Sequence, residues 1–379
     1  MIEIAFKMLF GDRAKYLMLI TGVSFATLLM TQGLSMFFGI ISFSYATATN
    51  IRAEIWVADP LTEQVADNQP LRDTDINRVR SVDGVEWAAP LFVGTAQARL
   101  VGMGRTKPVT LVGLDADTFA GAPTKFIEGS IAGLQQSDAV VIDSKIAELL
   151  SADPTRPLTI GDVFEMNDRR ATVVGVVQVS PGMGGAAYVF TTWDRAKDYA
   201  PNQRKMLTYV LASPAPGLSA QEVAESIRKE TGLQAMTERR MKQMTSKWMI
   251  LNSPVPVVVG VIVAIGFLVG VVVSGQTFYT FVLENTPSLG ALKAMGADAR
   301  SLAGMIVAQA LTIGLVGFGI GSGLMAGLFA ALPEDQVPLL MLWPTPTIVL
   351  IAILGICVFV AVISVYRVSR IEPAIVFRT

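Results

Sequence analysis

The chain has 379 residues, of which 52% are hydrophobic and 16% are charged, and its mean hydropathy is +0.51. Soluble domains usually carry about a quarter charged residues, so this composition argues against an ordinary soluble enzyme and indicates a membrane protein. The sequence has no histidine and one cysteine, Cys357, which excludes histidine-based catalysis, an intrachain disulfide framework and a structural zinc site of the cysteine type. The net charge of −1 gives no indication of nucleic-acid binding.

Charged side chains are missing from four windows of the sequence, residues 16–51, 248–283, 301–333 and 336–366. A membrane-spanning helix needs about 20 apolar residues, so each window is long enough for one span and none is comfortably long enough for two. One such window could be a buried core helix, but four of them predict four transmembrane helices. The first window is much longer than the apolar core of a signal peptide, about 7–15 residues, and is therefore expected to be a retained anchor.

The sequence therefore predicts an α-helical membrane protein with four transmembrane helices and one large α+β extracytoplasmic domain between the first and second helices. The expected segments in chain order are an amphipathic cytoplasmic N-terminus (1–15), TM1 (16–45), the extracytoplasmic domain with its stalk (46–247), TM2 (248–283), a cytoplasmic loop (284–300), TM3 (301–333), a short outer turn with TM4 (334–366), and a cytoplasmic tail (367–379).

Basic residues give the orientation of these spans. Lys and Arg occur in the N-terminal segment, in the loop 284–300 and in the tail, whereas the short turn with Glu334 and Asp335 has none. By the positive-inside rule, both termini and the loop 284–300 are expected on the cytoplasmic side of the membrane.

Residues 46–247 have an ordinary soluble composition with alternating strand-like and helix-like runs. Strands are expected at 55–58, 95–100, 108–114, 139–142, 171–177 and 188–191, and helices at 73–80, 144–150 and 219–231. Ser219 and Glu222 have capping-box spacing. Residues 236–247 lead into the second span, and we expect a continuous stalk helix there.

One loop of this domain is a candidate partner or substrate site, and it consists of Pro181, Gly182, Met183, Gly184 and Gly185. A solvated hairpin loop is the simpler interpretation, and a docking or substrate-facing tip is the alternative, because Met suits adaptable contacts. The scattered carboxylates of the domain show no metal-ligand spacing, and no nucleophile–base set can be assembled. A membrane-anchored enzyme is therefore the least favoured class.

Glycines of the third window have the spacing that lets transmembrane helices approach closely, and the expected packing positions are Gly317, Gly321, Gly323 and Gly327. No ionisable residue lies within the predicted spans, which disfavours an ion-coupled carrier. No Walker A sequence occurs, so the chain brings no P-loop ATPase of its own and is expected to hold no cofactor.

The loop after the second span predicts a short amphipathic helix. Pro287 suits its first turn and Gly296 its C-terminal end. Leu289, Leu292 and Met295 are expected on one apolar face, with Lys293 nearby. Such a helix lies in the lipid headgroup zone or docks into a cytosolic partner, and the spacing alone does not distinguish the two.

Two motifs carry a resemblance to a known family. Leu289-Gly-Ala-Leu-Lys-Ala-Met-Gly-Ala297 resembles the G-x-LKA-(I/L/M)-GA motif of FtsX/MacB-type (type VII) ABC transporter permeases, and residues 366–378 resemble their R-x-x-R-I-x-P-A-x-x-L-R tail. The layout of one span, a large outer domain and three further spans is similar too, above all to DevC-like and HrtB-like exporter permeases. Relatives usually place a charged pair before the loop motif, where this chain has Pro287 and Ser288, with Glu284 one turn earlier.

The resemblance implies a non-catalytic permease subunit of an exporter or extractor that works by mechanotransmission. A separate ATPase subunit would bind ATP and Mg and would dock on the loop through Glu284, Pro287, Leu289, Gly290, Leu292, Lys293, Met295 and Gly296. A second permease copy, most simply a homodimer, and membrane lipid are implied, and a periplasmic adaptor with an outer-membrane channel would serve a DevC-like member. The alternative is an FtsX-type signal transmitter that switches a cell-wall hydrolase without transport, although its outer domain is usually smaller.

Overall fold

A computed structural model describes residues 2–11, 13–100, 106–151, 156–200, 207–332 and 338–369. The chain packs as two compact units: the first comprises Met1–Gly39 and Pro254–Thr379, and the second comprises Ile40–Ser253. The helices are α1 (Ile2–Gly11), α2 (Arg13–Ser44), α3 (Ala46–Asn50), α4 (Asp75–Arg80), α5 (Ser144–Leu149), α6 (Trp193–Tyr199), α7 (Ala220–Thr231), α8 (Glu238–Asn252), α9 (Val255–Glu284), α10 (Thr286–Ala294), α11 (Ala299–Ala331) and α12 (Pro344–Ser369).

The strands all belong to the second unit. They are β1 (Ile55–Ala58), β2 (Val85–Leu100), β3 (Thr106–Leu114), β4 (Phe126–Gly129), β5 (Ala139–Asp143), β6 (Val163–Met166), β7 (Arg169–Val177), β8 (Ala187–Thr192), β9 (Tyr209–Pro214) and β10 (Gln234–Thr237).

Within the part of the chain that the structure describes, four helices are long and apolar enough to cross a membrane, and they confirm the predicted number of spans. They cover Tyr16–Ser44, Val255–Glu284, Arg300–Ala331 and Pro344–Tyr366. Proline occupies the first turn of the second and fourth, where its missing N–H costs no intrahelical hydrogen bond.

The second span begins later in the chain than predicted, and the predicted continuous stalk helix is interrupted before it. Helix α8 ends before Ser253, whose φ of −113° and ψ of 156° are extended, and α9 begins at Val255. A residue before proline is driven out of the helical region, and Pro254 follows Ser253. Trp248 therefore belongs to α8 rather than to the span, and residues 236–284 do not form one continuous helix.

The four spans share a single apolar core with α1. Buried side chains of the core come from α1, α2, α9, α11 and α12, for example Leu9, Leu19, Phe281, Ile313 and Ile353. The buried Gln309 on α11 donates a hydrogen bond to the Ala5 carbonyl of α1 over 2.7 Å. This bond ties the N-terminal helix to the third span, as expected of a polar residue within a helix bundle.

The second unit is an α+β domain built on a large mixed sheet. Among the described residues, the strand order is β10-β1-β9-β2-β3-β8-β5-β7-β4, and β6 pairs with β2 and β7. Strand β2 is long enough to serve two regions, because its first half pairs with β9 and its second half with β3. Two parallel pairs, β3 with β8 and β5 with β7, make the sheet mixed.

Both faces of the sheet are covered, which explains why many strands are buried throughout. One core contains the Trp56 and Tyr209 rings, edge to face with centroids 5.4 Å apart. The capping box of α7 is present as predicted, with Ser219 and Glu222 bonded reciprocally. Val223 and Ile227 of the same helix are buried.

Candidate functional site

The loop between the second and third spans folds into helix α10. Asn285 precedes the helix, and its side-chain amide donates to the Phe281 carbonyl at 2.8 Å. Pro287 lies in the first turn, where the sequence predicted it. Thus α10 starts almost directly after α9, with the backbone turning at Asn285.

Gly296 ends α10 in the way expected of a left-handed helix terminus. Its φ is +93°, its N–H donates to the Lys293 carbonyl at 3.1 Å, and the Ala297 N–H donates to the Leu292 carbonyl at 3.0 Å. These two bonds form a Schellman motif, which satisfies carbonyls that the helix itself leaves free. A side chain at Gly296 would be strained by the backbone conformation and not by neighbours.

The side chains of α10 divide between two environments. Leu292 is partly buried and packs against the core of the helix bundle. Met295 is 75% exposed, so these two residues do not share one apolar face as predicted. Pro287, Ser288 and Ala291 are exposed as well, and Glu284 is exposed at the end of α9.

The remaining positions of the motif are less informative. Gly290 and Lys293 are partly buried. The side chain of Leu289 and the tail from residue 370 onward lie outside the described part of the chain.

The four predicted packing glycines separate into two pairs. A Cβ on Gly317 would lie 2.5 Å from a Val23 methyl, and one on Gly321 would lie 2.5 Å from the Ser24 carbonyl oxygen. These two glycines therefore permit close packing of α11 on α2. A Cβ on Gly323 or Gly327 would have no atom within 4 Å among the described parts of the other elements, so their side of α11 is open there.

The glycine-rich loop lies between β7 and β8, which are not neighbours. Strand β5 lies between them and pairs with both, so the predicted hairpin is wrong. The loop turns tightly, with the Gly182 N–H donating to the Ala186 carbonyl at 2.8 Å. Met183 is 47% exposed at its tip, whereas Gly182 is buried against the Tyr188 hydroxyl.

This loop is held against α3, the short helix that follows the first span. The Asn50 side chain donates to the Ser180 carbonyl at 2.7 Å and accepts from the Ser180 N–H at 2.9 Å. The hydroxyls of Thr47 and Tyr188 are hydrogen-bonded at 2.9 Å. Sequence reasoning missed both contacts, and the only signal was a polar Thr-Ala-Thr-Asn run at the end of an apolar window.

Ionisable groups near this contact are perturbed by burial. Burial raises the pKa of Asp143 to about 6, against weaker lowering by hydrogen bonds that include the Lys145 and Tyr188 backbone N–H groups. Burial also raises the pKa of Tyr188 to about 12. Within the described ranges, no group of three or more acidic or cysteine side chains is arranged to hold a metal ion.

Four membrane spans joined to a large α+β domain define a multi-pass membrane protein. The family profile of the MacB-like periplasmic core domain matches residues 17–230, and that of the FtsX-like permease C-terminal region matches residues 260–373. The chain belongs to the FtsX/MacB-type ABC transporter permeases. A permease of an ABC transporter works with an ATPase partner.

Individual relatives are distant. An uncharacterised ABC transporter permease of Mycobacterium tuberculosis (strain H37Rv) is 26% identical over 314 residues, which are 81% of this chain and 79% of the relative. The macrolide export ATP-binding/permease protein MacB 2 of Aeromonas hydrophila is 23% identical over 289 residues, 73% of this chain and 44% of that protein.

Solved structures match the α+β domain. The extracellular domain of the YknZ transporter from Gram-positive bacteria has a TM-score of 0.36 and 18% identity, with 49% of this chain and 100% of that chain covered. The periplasmic region of MacB from Actinobacillus actinomycetemcomitans has a TM-score of 0.39 and 13% identity, with 52% and 94% covered.

Proposed function

We propose that the chain is the membrane subunit of an ATP-driven exporter or extractor that works by mechanotransmission. A separate ATPase subunit binds ATP and Mg and docks on α10. ATP-driven movement of the ATPase moves the spans, and the spans move the α+β domain. In this proposal the termini and α10 are cytoplasmic, the α+β domain is periplasmic, and the protein lies in the bacterial inner membrane.

The observation that carries the proposal is the two-faced character of α10. Leu292 anchors the helix to the bundle core, while Pro287, Ser288, Ala291 and Met295 point to solvent. A helix fixed on one side and exposed on the other is suited to take up force from a partner. Methionine is adaptable in contacts, which fits Met295 as a docking side chain.

The packing of the spans supports a path for the substrate that does not pass through the four-helix bundle of one chain. Leu19, Ser274, Ile313 and Cys357, one from each span, converge on a space of about 10 Å³. That is room for about one water molecule at most. The four helices are therefore closely packed at this point, which is in keeping with work on a substrate beside the bundle.

The start of the α+β domain supplies a mechanical connection. Helix α3 follows the first span after Tyr45 alone, and Asn50 at its end holds the glycine-rich loop through Ser180. We propose that this contact carries movement of the first span to the loop tip at Met183. An adaptor protein or substrate at that tip, with an outer-membrane channel beyond it, completes the proposed assembly.

A second permease copy fits the open side of α11. Gly323 and Gly327 are exposed, and a Cβ added at either one would have no atom of the described neighbouring elements within 4 Å. Small residues with this spacing allow close approach of another helix. We therefore propose a homodimer that packs through this side, with one ATPase below each copy.

The test is ATPase stimulation by the permease in proteoliposomes. Met295→Asp places a charge on the proposed docking face and is expected to lower stimulation at least about tenfold, because a buried unpaired charge costs more than about 1.4 kcal/mol. Met341→Asp is the matched control, because Met341 is 37% exposed in the segment before α12. Equal stimulation in wild type and Met295→Asp would refute docking on α10.

In the FtsX-type alternative the ATPase also docks on α10, but the protein transmits a signal to a cell-wall hydrolase and transports no substrate. A signal transmitter would show the same loss of stimulation in Met295→Asp, but no ATP-dependent release of any lipid, peptide or drug from the proteoliposomes. Activation of a co-purifying cell-wall hydrolase by ATP would then replace export as the function.

A further inference from the structure

A large open groove in the α+β domain is not used by the proposed coupling. It has a volume of about 910 Å³, within the range typical of ligand sites. Helix α8 forms one wall, and the groove includes residues at both chain ends of the domain. The lining side chains that matter here are Tyr45, Arg239, Lys242, Lys247, Ile250 and Leu251.

The α8 wall is basic at one end and apolar at the other. Arg239, Lys242 and Lys247 are spread over two turns, and Arg239 and Lys247 are about 12 Å apart along the helix axis. Ile250 and Leu251 follow one turn later and are 44% and 68% exposed. Along α8, the groove therefore presents basic side chains first and exposed apolar side chains after them.

Two of the three cations of the groove form no ion pair with the described residues, and the groove keeps a net positive charge. Lys242 pairs with Glu238 at 2.5 Å and lies 5.9 Å from the centre of the Tyr45 ring. Glu54 accepts a hydrogen bond from the Ser213 hydroxyl at 3.1 Å. Among the described residues, no ion pair forms with Arg239 or Lys247, and the three cations of the groove exceed its two carboxylates, Glu54 and Glu238, by one charge.

The chain itself brings the apolar end of the groove to a membrane surface. Tyr45 directly follows the candidate span Tyr16–Ser44, and Leu251 comes four residues before the span Val255–Glu284. Lipid headgroups therefore lie at the level where both chain segments leave the membrane. Basic helices with an apolar end are suited to anionic lipid at such a surface.

We propose that this groove binds an anionic phospholipid from the adjacent membrane leaflet. The phosphate of the headgroup lies between Arg239 and Lys247, and an acyl chain lies along Ile250, Leu251 and the Tyr45 ring. The inference concerns the α+β domain alone and does not depend on ATPase docking at α10.

Photolabelling of the full chain in phosphatidylcholine nanodiscs tests the proposal. The probe is phosphatidylglycerol with a diazirine on its acyl chain, and labelled peptides are mapped by mass spectrometry. Label is expected on Ile250 and Leu251, and a phosphatidylcholine probe of the same chain length is expected to label them about tenfold less. Equal labelling by the two probes would overturn the proposal.

The matched variants separate the groove from general surface charge. The double variant Arg239→Ala/Lys247→Ala is expected to lower labelling about tenfold, and Arg240→Ala to leave it unchanged, because Arg240 is exposed on the same helix outside the groove. An equal loss of labelling in Arg240→Ala would show that labelling depends only on the general surface charge, and it would contradict a specific site in the groove. Complete competition by inorganic phosphate would show a free-anion site and would also contradict it. Arg239→Lys/Lys247→Arg keeps both charges and must retain labelling, which protects the test against a folding defect.

Discussion

Asn50 and Ser180 exchange two hydrogen bonds, although 130 residues separate them in the sequence. The Asn50 side chain serves as both donor and acceptor for the peptide groups of Ser180, at 2.7 and 2.9 Å. Asn50 is buried, so neither of its amide atoms can exchange this partner for bulk water without opening the contact. The glycine-rich loop is consequently fastened to the helix that follows the first span.

Replacement of Asn50 by Leu should release this loop. Leu lacks both polar atoms and removes both hydrogen bonds to the Ser180 peptide groups, at a cost of about 0.5–1.5 kcal/mol for each bond. We expect amide hydrogen exchange of residues 178–186 to become at least about tenfold faster in the intact chain, because local opening is then less costly. Thr49→Ala is the control, since Thr49 is exposed on the same helix and bonds only locally to the Tyr45 carbonyl. Unchanged protection in Asn50→Leu would show that the contact does not hold the loop.

Gly321 should tolerate no side chain. A Cβ there would lie 2.5 Å from the Ser24 carbonyl oxygen and 2.7 Å from the Thr27 Cβ, so Gly321→Ala must separate α11 from α2. Overpacking of this kind typically costs about 1–3 kcal/mol, and the midpoint of unfolding in mixed micelles should fall accordingly. Gly319→Ala is the matched control on the same helix, because its Cβ would have none of the described neighbouring atoms within 4 Å. Similar midpoints for the two variants would contradict the close contact of α11 with α2.

Asp143 should make the α+β domain less stable at neutral pH than in mild acid. Burial raises its pKa to about 6 in the folded chain, above the ordinary value of 3.8. The folded state therefore holds the proton more tightly, and the stability contributed by this group falls as the pH rises from about 4 to about 6 and is then constant. Over this window the change amounts to at most about 3 kcal/mol.

Asp143→Asn isolates that contribution. The amide stays neutral and can still cap α5, as the carboxylate does by accepting from the Lys145 N–H. We expect the variant to be more stable than wild type at about pH 7.5 and equal to it at about pH 4, measured by pulse proteolysis in urea. A variant that is less stable than wild type at neutral pH would show that the ionised carboxylate is favourable.

Sequence patterns predicted the elements that are regular and strongly marked. The charge-free windows located all four spans because a membrane core excludes charge. The capping-box spacing of Ser219 and Glu222 predicted the start of α7, and the apolar, Val-rich run at 139–142 predicted β5. Strand β10, Gln234–Thr237, lacked an apolar alternation and was missed, since its pairing with β1 decides its conformation.

The candidate site was harder to predict because its features are tertiary. Helix α10 and its end at Gly296 follow from local chemistry, so Pro287 and Gly296 were placed correctly. Leu292 is partly buried and Met295 is exposed because of the way α10 lies against the helix bundle, and the periodicity of the sequence alone does not specify that position. The Asn50–Ser180 contact joins distant segments and left no recognisable spacing in the sequence.

The most direct test of the central claim is site-specific crosslinking from α10 to the ATPase subunit. Cys357 is the only cysteine, so Cys357→Ala provides a background in which Met295→Cys carries a benzophenone reagent on the exposed face of α10. Met183→Cys on the glycine-rich loop is the control. The proposed function predicts an ATPase adduct from residue 295 and none from residue 183. Absence of an adduct at 295, or equal adducts at both positions, would contradict it.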